Sequence, residues 1–192
     1  MTETIVLAML LAKIKGNRIC PFFKTWTVYP FLVVEVLYLF FQIQVFTGNY
    51  YFIQFAPYIK KIYLFCLIIP IIVYKEYLQG IIGSVFVIIG TLLNKFVISQ
   101  NGGLMPVFPS FSYITGYVKP DAFDLNDGIH VLGSAETRYW FLSDFIDVGY
   151  SIMSIGDLFI RVLVFLVIYK TIKTMNAPDK FSCTPKSVDS IK

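Results

Sequence analysis

Long apolar runs dominate the hydropathy pattern of the chain and predict transmembrane helices. Five runs stand out, at residues 4–14, 26–46, 59–74, 77–99 and 154–175. The last four approach the roughly 20 apolar residues that a helix needs to cross a bilayer. The first run is short, but its basic residues follow the apolar stretch, which predicts a first helix and not a signal peptide. The expected fold is an all-α, integral membrane helical bundle of about five spans, within a membrane domain of residues 1–175.

The composition points to the same class of protein. Hydrophobic residues make up 57% of the 192 residues and charged residues only 15%, with a mean hydropathy of +0.70. Because a soluble domain carries about a quarter charged residues, a water-soluble enzyme is disfavoured, and the abundant apolar surface excludes intrinsic disorder. The net charge of +4 is modest. It argues against a nucleic-acid partner, and the lipid bilayer is the expected partner.

The positions of lysine and arginine between the runs predict an orientation. Basic clusters lie between the first two runs, between the third and fourth, and after the last: Lys13, Lys15, Arg18, Lys24, Lys75, Lys170, Lys173, Lys180, Lys186 and Lys192. Cytoplasmic loops are enriched in these residues. We therefore expect the N-terminus outside and the C-terminus inside, in the plasma membrane of a bacterium, with Lys60 and Lys61 as a discordant pair. The polar tail, residues 176–192, is expected to be flexible and cytoplasmic.

The outer segment, at about residues 100–151, is too long and too patterned to be a simple linker. Loops of this length in compact proteins tend to be functional. The glycines at 102 and 103 and Pro106 interrupt the fourth helix sharply. Between residues 135 and 148, apolar and polar positions alternate in a way that predicts a short interfacial helix, with Trp140 among its membrane anchors.

Short motifs in this part of the chain resemble one bacterial family. They are Asn-Gly-Gly-x-Met-Pro-Val at residues 101–107, preceded by Asn94, and Ser-Ile-Gly-Asp at residues 154–157, with further similarity at 130–131, 137–138 and 142–144. The family consists of small multi-pass membrane proteins described only as a domain of unknown function. The resemblance implies a shared fold and a working face between residues 94 and 157, but no activity.

Ionisable groups inside apolar runs are the first candidates for function, because a charge in hydrocarbon costs several kcal/mol unless it is paired or hydrated. Glu35 lies near the middle of the second run, and Asp157 and Arg161 lie one turn apart on the last. A network of these three side chains, joined by Asn94 or Lys95, is allowed by their depth. It has two interpretations, a buried structural salt bridge or the floor of an outward-facing polar cavity.

The outer segment supplies the other candidate binding residues. Asn101, Arg138 and Asp144 are predicted to roof the same cavity. His130 is the single histidine and a candidate metal ligand, but one histidine in an acidic loop is more often a surface or capping residue. No metal site and no cofactor are predicted, since the sequence contains no HExxH, GxSxG, P-loop or dinucleotide motif.

Three functions are compatible with these patterns. The first is a binding or transport-related subunit with a polar site on the extracytoplasmic side, working with other membrane subunits. The second is a membrane-embedded enzyme acting on a lipid-linked or exported substrate, which would need two titratable groups in one cavity. The third is a scaffold or assembly subunit without a small-molecule site. The sequence does not decide whether the protein is an enzyme.

Overall fold

The computed structural model describes residues 1–119, 122–123 and 128–177, and it is mostly helical. The α-helices are α1 (Thr2–Ile14), α2 (Cys20–Phe23), α3 (Tyr29–Phe46), α4 (Ala56–Cys66), α5 (Ile68–Val73), α6 (Tyr77–Gln100), α7 (Phe111–Thr115) and α8 (Ile155–Met175). Single 3-10 turns lie at Trp26–Val28, Tyr50–Phe55 and Trp140–Leu142. The predicted flexible tail lies, beyond Ala177, outside the described residues.

Three helical segments in the described part of the chain are long and apolar enough to cross a membrane. They are Trp26–Phe46, Tyr50–Val73 and Tyr77–Gln100. At 1.5 Å per residue, the 24 residues of α6 span about 36 Å, more than the roughly 30 Å of hydrocarbon. Large apolar side chains project outward from these helices, with Val33 67% and Ile81 64% exposed. Such surfaces fit lipid contact better than water, as expected for a membrane protein.

Helix α8 forms the centre of the bundle. Its side chains Val164, Val167, Ile168 and Ile172 are at most 1% exposed, so much of this helix is covered by its neighbours. Its charged residues Asp157 and Arg161 meet partners on those neighbours and not lipid. Helix α1 runs parallel to it, because Glu3 contacts Arg161 near the start of α8 and Arg18 contacts Asn176 just past its end.

Helix α6 runs antiparallel to α8 and packs closely against it through glycines. A Cβ atom placed on Gly83 would lie 2.8 Å from the Cα of Leu163, and one placed on Gly156 would lie 2.6 Å from the carbonyl oxygen of Gly90. Backbone atoms of the facing helix therefore leave no room for a side chain at Gly83 or Gly156. Small residues that admit such close approach are typical of helix pairs in membranes.

The remaining long helices complete an alternating arrangement. Thr25, just before α3, bonds to the hydroxyl of Tyr74 at the end of α5 over 3.0 Å, so α3 and the α4–α5 pair run in opposite directions. Lys60 near the start of α4 pairs with Asp157 near the start of α8, so these two helices are parallel. Five helical passes thus alternate in direction along the chain. All three of α1, α4 and α8 begin at one end of the bundle, here called the cavity end.

The segment that connects α6 to α8, residues 101–154, folds back over the cavity end. Strand β1 (Met105–Val107) pairs in parallel with β2 (His130–Leu132), and β3 (Ile146–Asp147) pairs antiparallel with β4 (Ile152–Met153). The fold is thus mostly helical, as predicted, with two short strand pairs that the sequence did not predict. The two strand pairs are small, but they fix the path of the connecting segment across the ends of the helices.

The helix predicted for residues 135–148 does not form. The stretch contains the 3-10 turn Trp140–Leu142 and strand β3, and Tyr139 before the turn adopts a positive φ of 54°. Beyond this turn, the backbone pairs with β1: Asp144 donates its N–H to the carbonyl of Pro106, and its carbonyl accepts from Phe108 over 2.8 Å. These bonds to β1 take the place of the helical bonds that the apolar pattern predicted.

Helix α7 is held in place by one carboxylate of β3. Asp147 accepts hydrogen bonds from the backbone N–H of Ser110, Ser112 and Gly149 over 2.7–2.8 Å, and from the Ser112 hydroxyl over 2.5 Å. Partial burial opposes ionisation of Asp147, but these bonds lower its pKa below the usual value. An ionised Asp147 thus fixes α7 against the β3–β4 pair.

Candidate functional site

A cavity of about 370 Å³ lies at the cavity end of the bundle, beneath the connecting segment. Its walls come from α3, α4 and α6, its floor includes Asp157 and Arg161 of α8, and its roof includes Val107, His130 and Asp144. We call it the end cavity. Its volume is within the usual range of small-molecule sites, and most of its lining is apolar with a few convergent polar groups.

The structure brings four of the predicted site residues together on this cavity: Asn94, Asp144, Asp157 and Arg161. They come from α6, the connecting segment and α8, and the close packing of α6 on α8 sets the spacing between Asn94 and Asp157. His130, the candidate metal ligand, also lines the end cavity. Within the described residues, however, no three histidine, cysteine or acidic side chains are grouped as a metal site would require.

Asp157 is the centre of the polar network on the cavity floor. Its carboxylate forms an ion pair with Lys60 of α4 and accepts a 3.1 Å hydrogen bond from the side-chain amide of Asn94. Ser154 caps α8 by accepting the N–H of Asp157, and it donates its own hydroxyl proton to the Asn94 oxygen over 2.8 Å. The network therefore joins α4, α6 and α8 at one point.

Arg161 has a different partner from the predicted one. Its guanidinium donates to the carboxylate of Glu3 on α1 over 2.6 Å, although Asp157 lies one turn away on the same helix. Glu35 is bonded to the hydroxyl of Thr2 over 2.5 Å and does not line the end cavity. The predicted Glu35–Arg161–Asp157 network is thus replaced by two ion pairs, Glu3–Arg161 and Lys60–Asp157, because α1 and α4 supply closer charges.

Asp144 differs from Asp157, which also lines the cavity, because within the described residues it forms no direct ion pair. The residue is 8% exposed, and within the described residues its Oδ1 atom has no hydrogen-bond partner. Burial raises the pKa of the Asp144 carboxyl to about 7, and the Asp157 carboxylate adds to the rise, whereas His130 and Lys60 oppose it. Near neutral pH this carboxyl therefore exists both with and without its proton.

Asn101 and Arg138 hold the connecting segment together outside the cavity. The Asn101 side chain donates to the carbonyl of Arg138 and accepts from its N–H, both over 3.0 Å, and it also donates to the carbonyl of Val97 at the end of α6. The Arg138 residue is exposed, and neither residue lines the end cavity. Their role in this geometry is to fasten the turn around residue 138 to the end of α6.

Three residues of the site escaped prediction from the sequence. For Lys60, one feature of the sequence was informative: it was predicted on the outer side, whereas most other basic residues were predicted on the cytoplasmic side. Its ion pair with Asp157 accounts for this position. Glu3 lies in a run too short to be an obvious span, and nothing in its sequence context indicated Arg161 as its partner. Tyr63 is 1% exposed, and its hydroxyl is unpartnered within the described residues while the side chain lines the cavity.

The chemistry available in the end cavity is binding by hydrogen bonds and charge, with one carboxyl able to exchange a proton near neutral pH. The two ion pairs neutralise most of the charge on the floor. Asp144 and Tyr63 line this mostly apolar cavity, and each has one buried polar atom that is unpartnered within the described residues. Such groups carry a desolvation cost that a ligand can remove by pairing with them.

Comparison with known proteins places the chain in a family without giving it an activity. No curated protein and no solved structure gives a significant match. One family model matches residues 19–169, which is more than three quarters of the chain and contains all of the cavity residues except Met1. The chain therefore belongs to the family of unknown function DUF5317.

Proposed function

We propose that this protein is a ligand-binding membrane protein of the bacterial plasma membrane and that the end cavity is its binding site. The observation that carries the proposal is the cavity of about 370 Å³ with Asp144, Asp157 and Arg161 in its lining. Scattered surface charges would not produce this arrangement. Other membrane subunits are proposed as partners, since the sequence has no P-loop or other motif for energy coupling.

The proposed topology has five spans, with the N-terminus and the end cavity outside. Three segments long and apolar enough to span a membrane, together with the alternating directions of the five helical passes, support it. The described basic residues Lys13, Lys15, Arg18, Lys24, Lys75, Lys170 and Lys173 belong to the other end of the bundle. That end would face the cytoplasm by the positive-inside rule.

The orientation is testable by cysteine labelling in spheroplasts with a membrane-impermeant maleimide. In a background with Cys66 and Cys183 replaced by serine, we expect Glu136→Cys, an exposed site on the connecting segment, to be labelled from outside. The exposed native Cys20, near the opposite end of the bundle, should react only after permeabilisation and serves as the internal control. Labelling of Cys20 in intact spheroplasts, with Glu136→Cys protected, would reverse the proposed orientation.

Occupancy of the end cavity is testable by native mass spectrometry of protein released gently from its own membranes. We expect a bound small molecule on the wild-type protein and its loss in Ala56→Trp, because Ala56 lines the cavity and an indole would fill it. The matched control is Ala135→Trp, at an exposed alanine of the connecting segment. No adduct on the wild-type protein, or an adduct that survives Ala56→Trp in a folded variant, would contradict the proposal.

A membrane-embedded enzyme is the second candidate, and one observation favours it. Asp144, with its pKa of about 7, and His130 line the same cavity, which meets the requirement of two titratable groups within one site. An enzyme would predict that Asp144→Asn retains the bound molecule but changes its mass, because substrate accumulates in place of product. A binding protein would predict the same mass or simple loss of the molecule.

A further inference from the structure

We propose that the end cavity recognises a primary alkylammonium group, with the ammonium against Asp144 and the alkyl part along the apolar walls. This inference rests on the proposed binding function and names the chemical class of its ligand. It follows from the charges on the wall, from the unpartnered atoms and from the shape of the lining.

The ion pairs of the wall leave Asp144 free to meet a ligand cation. Lys60 is neutralised by Asp157, and Arg161 by Glu3, so the two cationic side chains on the floor already have anionic partners. Asp144 is then the cavity carboxyl without a direct ion pair among the described residues. An anionic ligand would meet it unfavourably and would have to displace Asp157 or Glu3 from an existing pair. The Met1 ammonium, which also lines the cavity, lies 3.5 Å from the Glu3 carboxylate and shares it with Arg161. A ligand cation could therefore pair with Asp144 without breaking any of these contacts.

The unpartnered atoms favour a group that donates hydrogen bonds. Asp144 Oδ1 is an acceptor when the carboxyl is ionised, and the Tyr63 hydroxyl oxygen accepts as well; both are buried and unpartnered within the described residues. A primary ammonium has three N–H donors, whereas a quaternary ammonium has none. Charge-assisted hydrogen bonds of this kind are roughly twice as strong as neutral ones.

The apolar part of the lining favours an alkyl chain attached to the ammonium. Phe41 and Val45 of α3, Ile53 before α4 and Ile98 of α6 line the end cavity. The aromatic rings of Tyr38 and Tyr50 are also in the lining and can contact a cation through their faces. A small polar cation without an alkyl part would leave this surface uncovered.

Binding of an ammonium to Asp144 would compete with a proton. Burial of this carboxyl favours its protonated form. Three other ionisable groups also act on it: Asp157 of α8 favours the protonated form, whereas His130 of β2 and Lys60 of α4 oppose it. Because the pKa of Asp144 is raised to about 7, the carboxyl carries its proton at pH 5.5 and is largely ionised at pH 8. Alkylammonium affinity should therefore rise with pH over this interval and stay high until the amine itself loses its proton near pH 10.

The test uses the full chain in phosphatidylcholine nanodiscs, whose choline headgroups carry no N–H donor. Octylamine, octanol and octanoate are titrated by calorimetry at pH 8, with empty nanodiscs subtracted. We expect octylamine to bind at least about tenfold more tightly than octanol, and octanoate to bind more weakly than either. At pH 5.5 the octylamine affinity should fall by about tenfold or more, and the octanol affinity should not change.

The variants separate this inference from the proposed function. Asp144→Asn should weaken octylamine binding by about tenfold or more and leave octanol binding nearly unchanged, whereas the exposed Glu136→Gln should change neither. Tyr63→Phe should weaken octylamine binding by a smaller factor. Equal binding of octylamine and octanol, or octylamine binding unaffected by Asp144→Asn, would overturn the ammonium assignment and leave the cavity a binding site. Failure of all three probes, together with no adduct by mass spectrometry, would overturn both.

Discussion

Replacing Arg161 by methionine is expected to lower the free energy of unfolding by about 3–5 kcal/mol, the usual cost of breaking a buried ion pair. Arg161 is 8% exposed, and its guanidinium is the direct partner of the Glu3 carboxylate. Glu3 Oε1 and Glu35 Oε2 are already unpartnered within the described residues. Without the guanidinium, the Met1 ammonium, 3.5 Å from the Glu3 carboxylate, would be the one cation still paired with either carboxyl group within the described residues.

The measurement is reversible unfolding in mixed micelles, with the wild type and the variants compared under the same conditions. Glu3→Gln in the Arg161→Met background should recover part of the loss, because it removes a carboxylate that has lost its guanidinium partner. Lys95→Met is the matched control. Lys95 is an exposed cation on α6, so its loss should change stability by less than about 0.5 kcal/mol. A loss below about 1 kcal/mol for Arg161→Met would show that the Glu3 pair does not hold α1 on α8.

Replacing Asp144 by asparagine is expected to stabilise the protein by about 2–4 kcal/mol at pH 8. The folded-state pKa of this carboxyl is raised from 3.8 to about 7. The folded protein therefore holds its proton over a range in which the unfolded chain has lost it. The contribution of Asp144 to the free energy of unfolding is therefore greatest below about pH 4. It falls as the pH rises towards 7 and stays low above that value. Asparagine has no charge to bury, so it removes this decline.

The pH dependence itself is the decisive measurement for Asp144. The wild-type free energy of unfolding should decline between about pH 4 and pH 7, and the decline should be smaller in Asp144→Asn by the contribution of one proton. Glu136→Gln is the control, because Glu136 is exposed on the same segment and should leave the profile unchanged. A parallel decline in the wild type and Asp144→Asn would mean that Asp144 is ionised throughout this range.

These two variants also link stability to the proposed site. A buried carboxyl that costs stability at neutral pH and faces a cavity is the pattern expected where binding and not folding has determined the residue. Arg161 is the opposite case, because its pair with Glu3 is expected to contribute to folding. The end cavity thus contains both kinds of charged group, which is why substitutions in it need stability and binding measured side by side.

The sequence by itself determined the long helices. The apolar runs at 26–46 and 77–99 match α3 with its preceding turn and α6 to within one residue, and the run at 154–175 matches α8. Helix formation depends on local backbone hydrogen bonds, and apolar length is readable without knowing any neighbour. The sequence also predicted that the glycines of α6 lie at a helix–helix contact. It did not predict that the contact is with the backbone of α8.

Only the tertiary structure decided the partners of the charges and the path of the connecting segment. Arg161 joins Glu3 across 158 residues and Lys60 joins Asp157 across 97, so neither pair leaves a local pattern in the sequence. Likewise, the alternation of residues 135–148 suggested a helix, but bonds to β1 were available to that backbone once the chain had folded back. The local pattern of apolar and polar residues indicates which side chains prefer to be buried. Which residues they contact depends on how the helices pack.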